Sequence, residues 1–159
     1  MRIRETFGLV PESTIADMTS TVYLSTALRA QLESWAQSGY PNETCGVLVG
    51  QQTPGQVHVV RAVVARNDNS ERARDRYLLN AEDFLAADMA AQADQLEIVG
   101  IWHSHPDHPA QPSETDRTQA WQEWSYIIVS VYRGIAADLR SWRLSGTTFE
   151  EETVTACPM

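Results

Sequence analysis

An apolar run, Ile98-Val99-Gly100-Ile101-Trp102, leads directly into His103-Ser104-His105-Pro106, and no other stretch limits the fold of this chain as much. The run is short, β-branched and aromatic, and a helical pattern precedes it, so Glu97 to Trp102 reads as a strand. Side chains two apart on a strand share a face. His103 and His105 are therefore expected to project side by side at its C-terminal end, with Ile101 and Val99 behind them. Pro106 cannot continue an interior ladder, so the chain turns away there. Asp107 to Gln111 form a tight loop that ends at Pro112. Ser113 then opens a helix with Asp116 in its first turn, which returns an anionic oxygen to the two imidazoles.

Three N/O ligands with a fourth position open to water are what a catalytic zinc ion takes from a protein. Two imidazoles and a carboxylate without a thiolate suit Zn²⁺, although Fe²⁺, Co²⁺ or Ni²⁺ also bind such a set. A metal of this kind lowers the pKa of bound water from about 15.7 to about 7 and polarises a carbonyl oxygen. The chemistry also needs a proton shuttle and a donor for the oxyanion. Ser113 is the local choice for the donor. Spacing alone does not pick a shuttle from the 21 acidic residues. Ser113-x-x-Asp116 also fits a capping box, in which both side chains serve the start of the helix. A carboxylate spent on a metal does not easily cap as well, so Asp116 is expected to fill one role or the other.

The rest of the chain reads as alternating strands and helices. Thr21 to Leu24 forms a short strand, and Ser25 caps a helix carrying Leu28, Leu32, Trp35 and Ala36 that stops at Gly39. Gly46–Gln51 and Val57–Ala65 pair as a hairpin across Thr53-Pro54-Gly55. A charged connector runs from Arg66 to Arg76, and Tyr77 to Leu79 reads as a strand. Asn80 caps a second helix, with Phe84, Leu85 and Met89 as core candidates. Ser125–Val131, Ile135–Leu144 and Thr147–Thr155 close the chain as an antiparallel meander turned at Arg133-Gly134 and Ser145-Gly146. These elements predict an α/β sandwich, a curved mixed sheet with helices packed outside it. Residues 1–19 lack periodicity and read as an N-terminal arm; residues 20–156 read as one domain.

The motif residues carry a resemblance. His103-x-His105-Pro106, then Pro112-Ser113-x-x-Asp116, with ten residues between His105 and Asp116, is the pattern of the JAMM (MPN-plus, JAB) metallopeptidases, in their small prokaryotic type. Tyr40-Pro41-Asn42-Glu43-Thr44-Cys45-Gly46-Val47-Leu48-Val49-Gly50 resembles the segment that brings the family's distant glutamate. The resemblance spans about Thr21 to Glu151. It implies that His103, His105 and Asp116 bind one Zn²⁺, that Glu43 is the general acid/base, and that Ser113 helps hold the oxyanion. It implies a JAMM/MPN fold, a single-domain, cytidine-deaminase-like three-layer sandwich. It also implies isopeptidase activity, deubiquitinase-like in kind, on an amide after the C-terminal glycine of a ubiquitin-like or ThiS/MoaD-like sulfur-carrier protein. The tail of that partner is expected to add to a strand edge.

Other features bound the function. Without the family pattern, Glu43 would read as a solvated loop carboxylate after Gly39-Tyr40-Pro41-Asn42. Cys45 reads as a small buried hydrophobe rather than a nucleophile. His108 reads as a loop surface residue and His58 as a solvent-facing strand residue. Arg61, Arg66, Arg72, Arg74 and Arg76 alternate with acids and read as a solvated loop. A net charge of −9 disfavours nucleic acid as a partner. No apolar run reaches the length of a membrane span, and no apolar segment follows Arg2, Arg4 and Glu5 as a secretory signal requires. The expected compartment is the cytoplasm; a homodimer is compatible with these features. The competing functions are a non-catalytic MPN-type interaction module, a RadC-type relative with the same metal pattern, and a zinc deaminase. The last uses His-x-Glu with Pro-Cys-x-x-Cys, and this chain has neither.

Overall fold

Local capping signals set the helices. In the computed structural model, which describes residues 20–156, Ser25 Oγ accepts the Leu28 N–H at 3.1 Å, Asn80 Oδ1 accepts the Asp83 N–H at 2.9 Å and Ser113 Oγ accepts the Asp116 N–H at 3.0 Å. The helices that follow are α1 (Thr26–Gly39), α2 (Ala81–Ala93) and α3 (Glu114–Gln119). The strands are β1 (Thr21–Tyr23), β2 (Cys45–Thr53), β3 (Gln56–Ala65), β4 (Glu97–Pro106), β5 (Ser125–Tyr132), β6 (Ile135–Ser145) and β7 (Thr148–Thr155). Arg133 and Gly134 take φ values of 53° and 86°, the left-handed pair that a two-residue hairpin turn requires. Tyr77 to Leu79 forms no strand, only a single bridge from Leu79 to Asn67. The N-terminal arm lies outside the described residues.

The three-layer sandwich expected from the sequence is not the architecture. Seven strands close into a barrel in the order β1-β3-β2-β4-β5-β6-β7. Closure depends on β1, which pairs in parallel with β3 on one side and with β7 on the other over only three residues. Pairing of that length between distant segments leaves no periodic trace in the sequence, so an open sheet is the natural reading of the strands taken singly.

Closing the sheet gives it an inside and an outside instead of two flanked faces. Inside lie Leu48, Val57, Val99, Trp102, Ile127, Val129 and Leu139, joined by Leu28, Leu32, Trp35 and Ala36 of α1. This helix contacts β3, β5 and β6 along one face, with Leu32 and Ala36 buried, while Ala30, Gln31, Ser34 and Gln37 stay exposed on the other. Trp35 stacks on Trp102 with ring centroids 5.7 Å apart. The Trp102 indole N–H donates to the Val63 carbonyl at 3.1 Å, and only a glycine at position 46 leaves room for that bond. Outside, α2 packs on β2 and β4 through Ala87 and Ala91. Two of the three core candidates on α2 fail: Leu85 and Met89 face outward, 56% and 62% exposed, while Phe84 packs at the edge of the cluster. Small residues let the helix approach the sheet closely, which turns its larger side chains away.

Candidate metal centre

His103 and His105 lie on the outer face of β4, beside Ile101. Val99 does not stand behind them. The β2–β4 register shifts between Leu48 and Val49, leaving Val99 as a bulged residue that turns into the barrel interior. Nor does the strand stop at Trp102: it continues in register with β5 as far as Pro106 opposite Val131. Asp107 then reverses the chain at φ 59°, and α3 carries Asp116 back over the two rings.

His103 Nε2 and His105 Nε2 are 3.2 Å apart and lie 3.3 Å and 3.2 Å from Asp116 Oδ2. His105 Nδ1 is 2.8 Å from the Pro109 carbonyl oxygen, which can only accept. The ring hydrogen of neutral His105 is therefore on Nδ1, and its Nε2 is bare. That bare nitrogen faces a carboxylate oxygen lone pair to lone pair. Only added positive charge, a proton or a metal cation, relieves such an arrangement. The donor set is also the one a divalent transition metal takes, with the outer nitrogen of His105 fixed by a carbonyl. On both counts the residues fit a metal. His103 Nδ1 is buried without a hydrogen-bond partner among the described residues, and its ring is held by Tyr77, stacked at 4.6 Å.

Asp116 fills both roles that the sequence sets against each other. Its Oδ2 accepts the Ser113 N–H at 2.9 Å as half of a capping box and at the same time faces both imidazoles. Burial opposes its ionisation, but the two histidines and the Ser113 amide outweigh it and hold the carboxyl far below the usual carboxylate range. Burial also opposes a charge on His105. The Asp116 carboxylate and the Pro109 carbonyl overcome that and raise its pKa, whereas burial prevails at His103 and lowers its pKa. Ser113 Oγ is used as an acceptor by the Asp116 amide, so its O–H remains available as a donor.

Glu43 precedes β2 and is 7% exposed, so the solvated-loop reading of this carboxylate fails. Burial pushes its carboxyl up to about 8, His105 pulls against that shift and Asp116 adds to it. Three residues that sequence reasoning did not single out hold the site. Ser104 Oγ accepts the Thr44 N–H at 2.8 Å, tying the Glu43 segment to the strand between the histidines. Asn67 Nδ2 donates to the Glu43 and Arg76 carbonyls, both at 3.1 Å. Tyr77 covers His103. The position of Ser104 inside the His-x-His triplet was the only sequence signal for any of them.

Cys45 is fully buried, and burial followed by the Glu43 charge pushes its thiol up to about 12, so it holds no thiolate. The His108 ring is exposed and stands apart from the three converging ligands. His58 is half-buried and stacks on Tyr23 at 4.6 Å, rather than facing solvent. Arg61, Arg66, Arg72 and Arg76 form exposed or half-exposed ion pairs with Asp94, Asp83 and Asp75. No helix among the described residues is long and apolar enough to cross a membrane.

Residues 25–145 match the family described as prokaryotic homologs of the JAB domain. No curated protein matches the sequence. A solution structure of a protein from Salinibacter ruber is 38% identical, with a TM-score of 0.67, covering 87% of this chain and 92% of its own. A solution structure of a protein from Desulfitobacterium hafniense, 23% identical with a TM-score of 0.75 and covering 85% of this chain and 92% of its own, shares the fold.

Proposed function

The chain belongs to the family of prokaryotic JAB-domain homologs, and on that premise we propose that it is a zinc-dependent peptidase acting on the amide that follows the C-terminal glycine of a ubiquitin-like or sulfur-carrier protein. One observation carries the reading: a buried carboxyl, Glu43, stands in the field of His105 and Asp116, where two imidazoles and a carboxylate converge. His103, His105 and Asp116 hold the metal. When bound, the metal supplies an acidified water and a polarised carbonyl.

The protein's own groups do the rest. Glu43 takes a proton from the attacking water and gives it to the leaving nitrogen. Burial raises this carboxyl and the charge of a bound metal would draw it back toward ionisation, two opposed pulls that suit a group that must both take and give a proton. The C–O bond forms, the C–N bond breaks, and the products are a carboxylate and an amine. The Ser113 O–H donates to the oxyanion while its oxygen stays bound to the Asp116 amide.

The test is Glu43→Gln, which keeps shape and hydrogen bonding but cannot shuttle a proton. Zinc content by mass spectrometry is expected to match the wild type. Turnover of a Gly-Gly-amide tail peptide is expected to fall about 10²- to 10⁴-fold. A variant as active as the wild type would remove Glu43 from the mechanism, and wild-type protein that takes up no metal would remove the function.

A further inference from the structure

The two ligand imidazoles are secured in different ways. His105 has its outer nitrogen, Nδ1, on the Pro109 carbonyl at 2.8 Å. A histidine that binds a metal ordinarily has such an acceptor, which fixes its tautomer and ring orientation and strengthens it as a ligand. His103 has none. A cation taken by its Nε2 leaves the ring hydrogen on Nδ1. That atom is buried without a hydrogen-bond partner among the described residues, so no such bond sets the angle of the ring.

What meets His103 instead is a flat surface. Tyr77 lies against it with ring centroids 4.6 Å apart and planes 27° from parallel, within the range of aromatic stacking. Tyr77 also packs on the outer cluster that contains Val47, Ile101 and Tyr126, so its ring is held from more than one direction. Its backbone is bracketed as well. The Asn67 carboxamide donates to the Arg76 carbonyl at 3.1 Å and accepts the Leu78 N–H at 2.9 Å, one bond on each side of Tyr77. The same carboxamide donates to the Glu43 carbonyl at 3.1 Å. One side chain thus aims the stacked ring and ties it to the segment that carries the acid.

Resting on the metal centre of the peptidase reading above, we propose that Tyr77 is a positioning residue for the metal, its ring face, aimed by Asn67, doing for His103 what the Pro109 carbonyl does for His105. Tyr77 moves no proton; it holds one ligand at the angle at which Nε2 meets the cation. Metal affinity then depends on an aromatic face at position 77 and not on the tyrosine hydroxyl.

The experiment titrates the metal-free full chain with zinc against a chelating competitor, and in parallel with Co²⁺, whose visible absorption reports the geometry of its ligands. Tyr77→Phe keeps the ring face and is expected to bind zinc within about twofold of the wild type, with the same Co²⁺ spectrum. Tyr77→Leu is expected to bind zinc about 10- to 100-fold more weakly, with a displaced Co²⁺ band. Wild-type affinity in Tyr77→Leu, or a loss in Tyr77→Phe as large as in Tyr77→Leu, overturns the proposal. Where Tyr77→Leu does not fold, Asn67→Ala carries the test, because it opens the bracket and leaves both rings in the chain. Zinc binding weakened about tenfold then sustains the proposal, and wild-type affinity overturns it. None of this needs turnover. Wild type that binds zinc but cleaves no Gly-Gly-amide peptide ends the peptidase reading and leaves the positioning role to be decided by the titration, whereas wild type that takes up no zinc ends both.

Discussion

The barrel carries two clusters of buried polar groups, and they differ in what they leave unmet. One is the metal centre on the outer face at the end of β4. The other sits at the far end of the same wall, where Arg143 and Glu152 pair across β6 and β7. Glu152 is 4% exposed, yet its carboxylate accepts from Ser20, Ser125, Ser141 and Arg143. Arg143 donates in turn to Gln52, Ser125 and the Gln122 carbonyl. That network is complete, although it borders a cavity of about 780 Å³. At the metal centre, by contrast, two imidazole nitrogens and a carboxylate oxygen converge on one point, a set of electron-pair donors that suits a cation. A buried polar cluster that satisfies itself holds the fold together; one with unmet lone pairs is ready to bind something.

Single deletions at the two ends are the strongest way to break this contrast. Glu152→Ala leaves Arg143 without its carboxylate and is expected to cost about 3–5 kcal/mol of stability, read by urea unfolding. Asp116→Ala removes half of a capping box and the carboxylate partner of two buried imidazoles, but those rings can shed their charge by losing a proton, so its expected cost is smaller, about 1–2 kcal/mol. Its large effect falls on zinc affinity, lowered by at least about 100-fold in a competition titration. Equal stability losses from the two variants would dissolve the distinction between a structural and a binding cluster.

The contrast sharpens with pH. The Glu43 carboxyl is raised in the fold, so the metal-free protein tolerates it best when protonated. Its contribution to stability is whole below about pH 4.5 and is lost as pH rises toward 8. Between pH 4.5 and 7 that amounts to about 3 kcal/mol. His105 is coupled to Glu43, so the difference between wild type and Glu43→Gln reports the carboxyl together with its interaction with that imidazole. Metal-free Glu43→Gln is expected to gain on the wild type progressively across that range, measured by thermal unfolding in a pH series. A flat difference would mean that Glu43 reaches solvent.

Which of these features the sequence discloses follows from their range along the chain. Caps at Ser25, Asn80 and Ser113, the turns at Gly55, Gly134 and Gly146, and the meander of β5 to β7 are decided within a few residues and are legible. So is the convergence of His103, His105 and Asp116, because one strand end, one tight loop and one helix start contain all three. Barrel closure is not legible, since Thr21 must find both Gln56 and Thr153. The bulge at Val99 breaks the alternation that placed it behind the histidines. Leu85 and Met89 look like core residues on a helical wheel, but Ala87 and Ala91 win the interface because they let α2 come closer. Asn67 and Ser104 act through single hydrogen bonds to distant backbone, which no local pattern records.

Ser104 gives the smallest of these effects and the finest test of the contrast, because it belongs to both categories. Its side chain is fully buried and satisfies the Thr44 N–H, as the serines around Glu152 satisfy their carboxylate. Thr44, however, adjoins Glu43, and it lies so close to Gly39 that a β-carbon there would fall 1.9 Å from Thr44 Oγ1. Ser104→Ala leaves that amide unpaired, at an expected cost of about 1–2 kcal/mol in urea unfolding. If the hydroxyl only stabilises the fold, kcat at saturating zinc and a temperature well below unfolding will not change. If it also positions Glu43, kcat falls several-fold while zinc affinity holds, because the three ligands hang on other bonds. The geometry favours the second outcome: the hydroxyl ties the strand carrying the imidazoles directly to the residue that follows the acid working beside them.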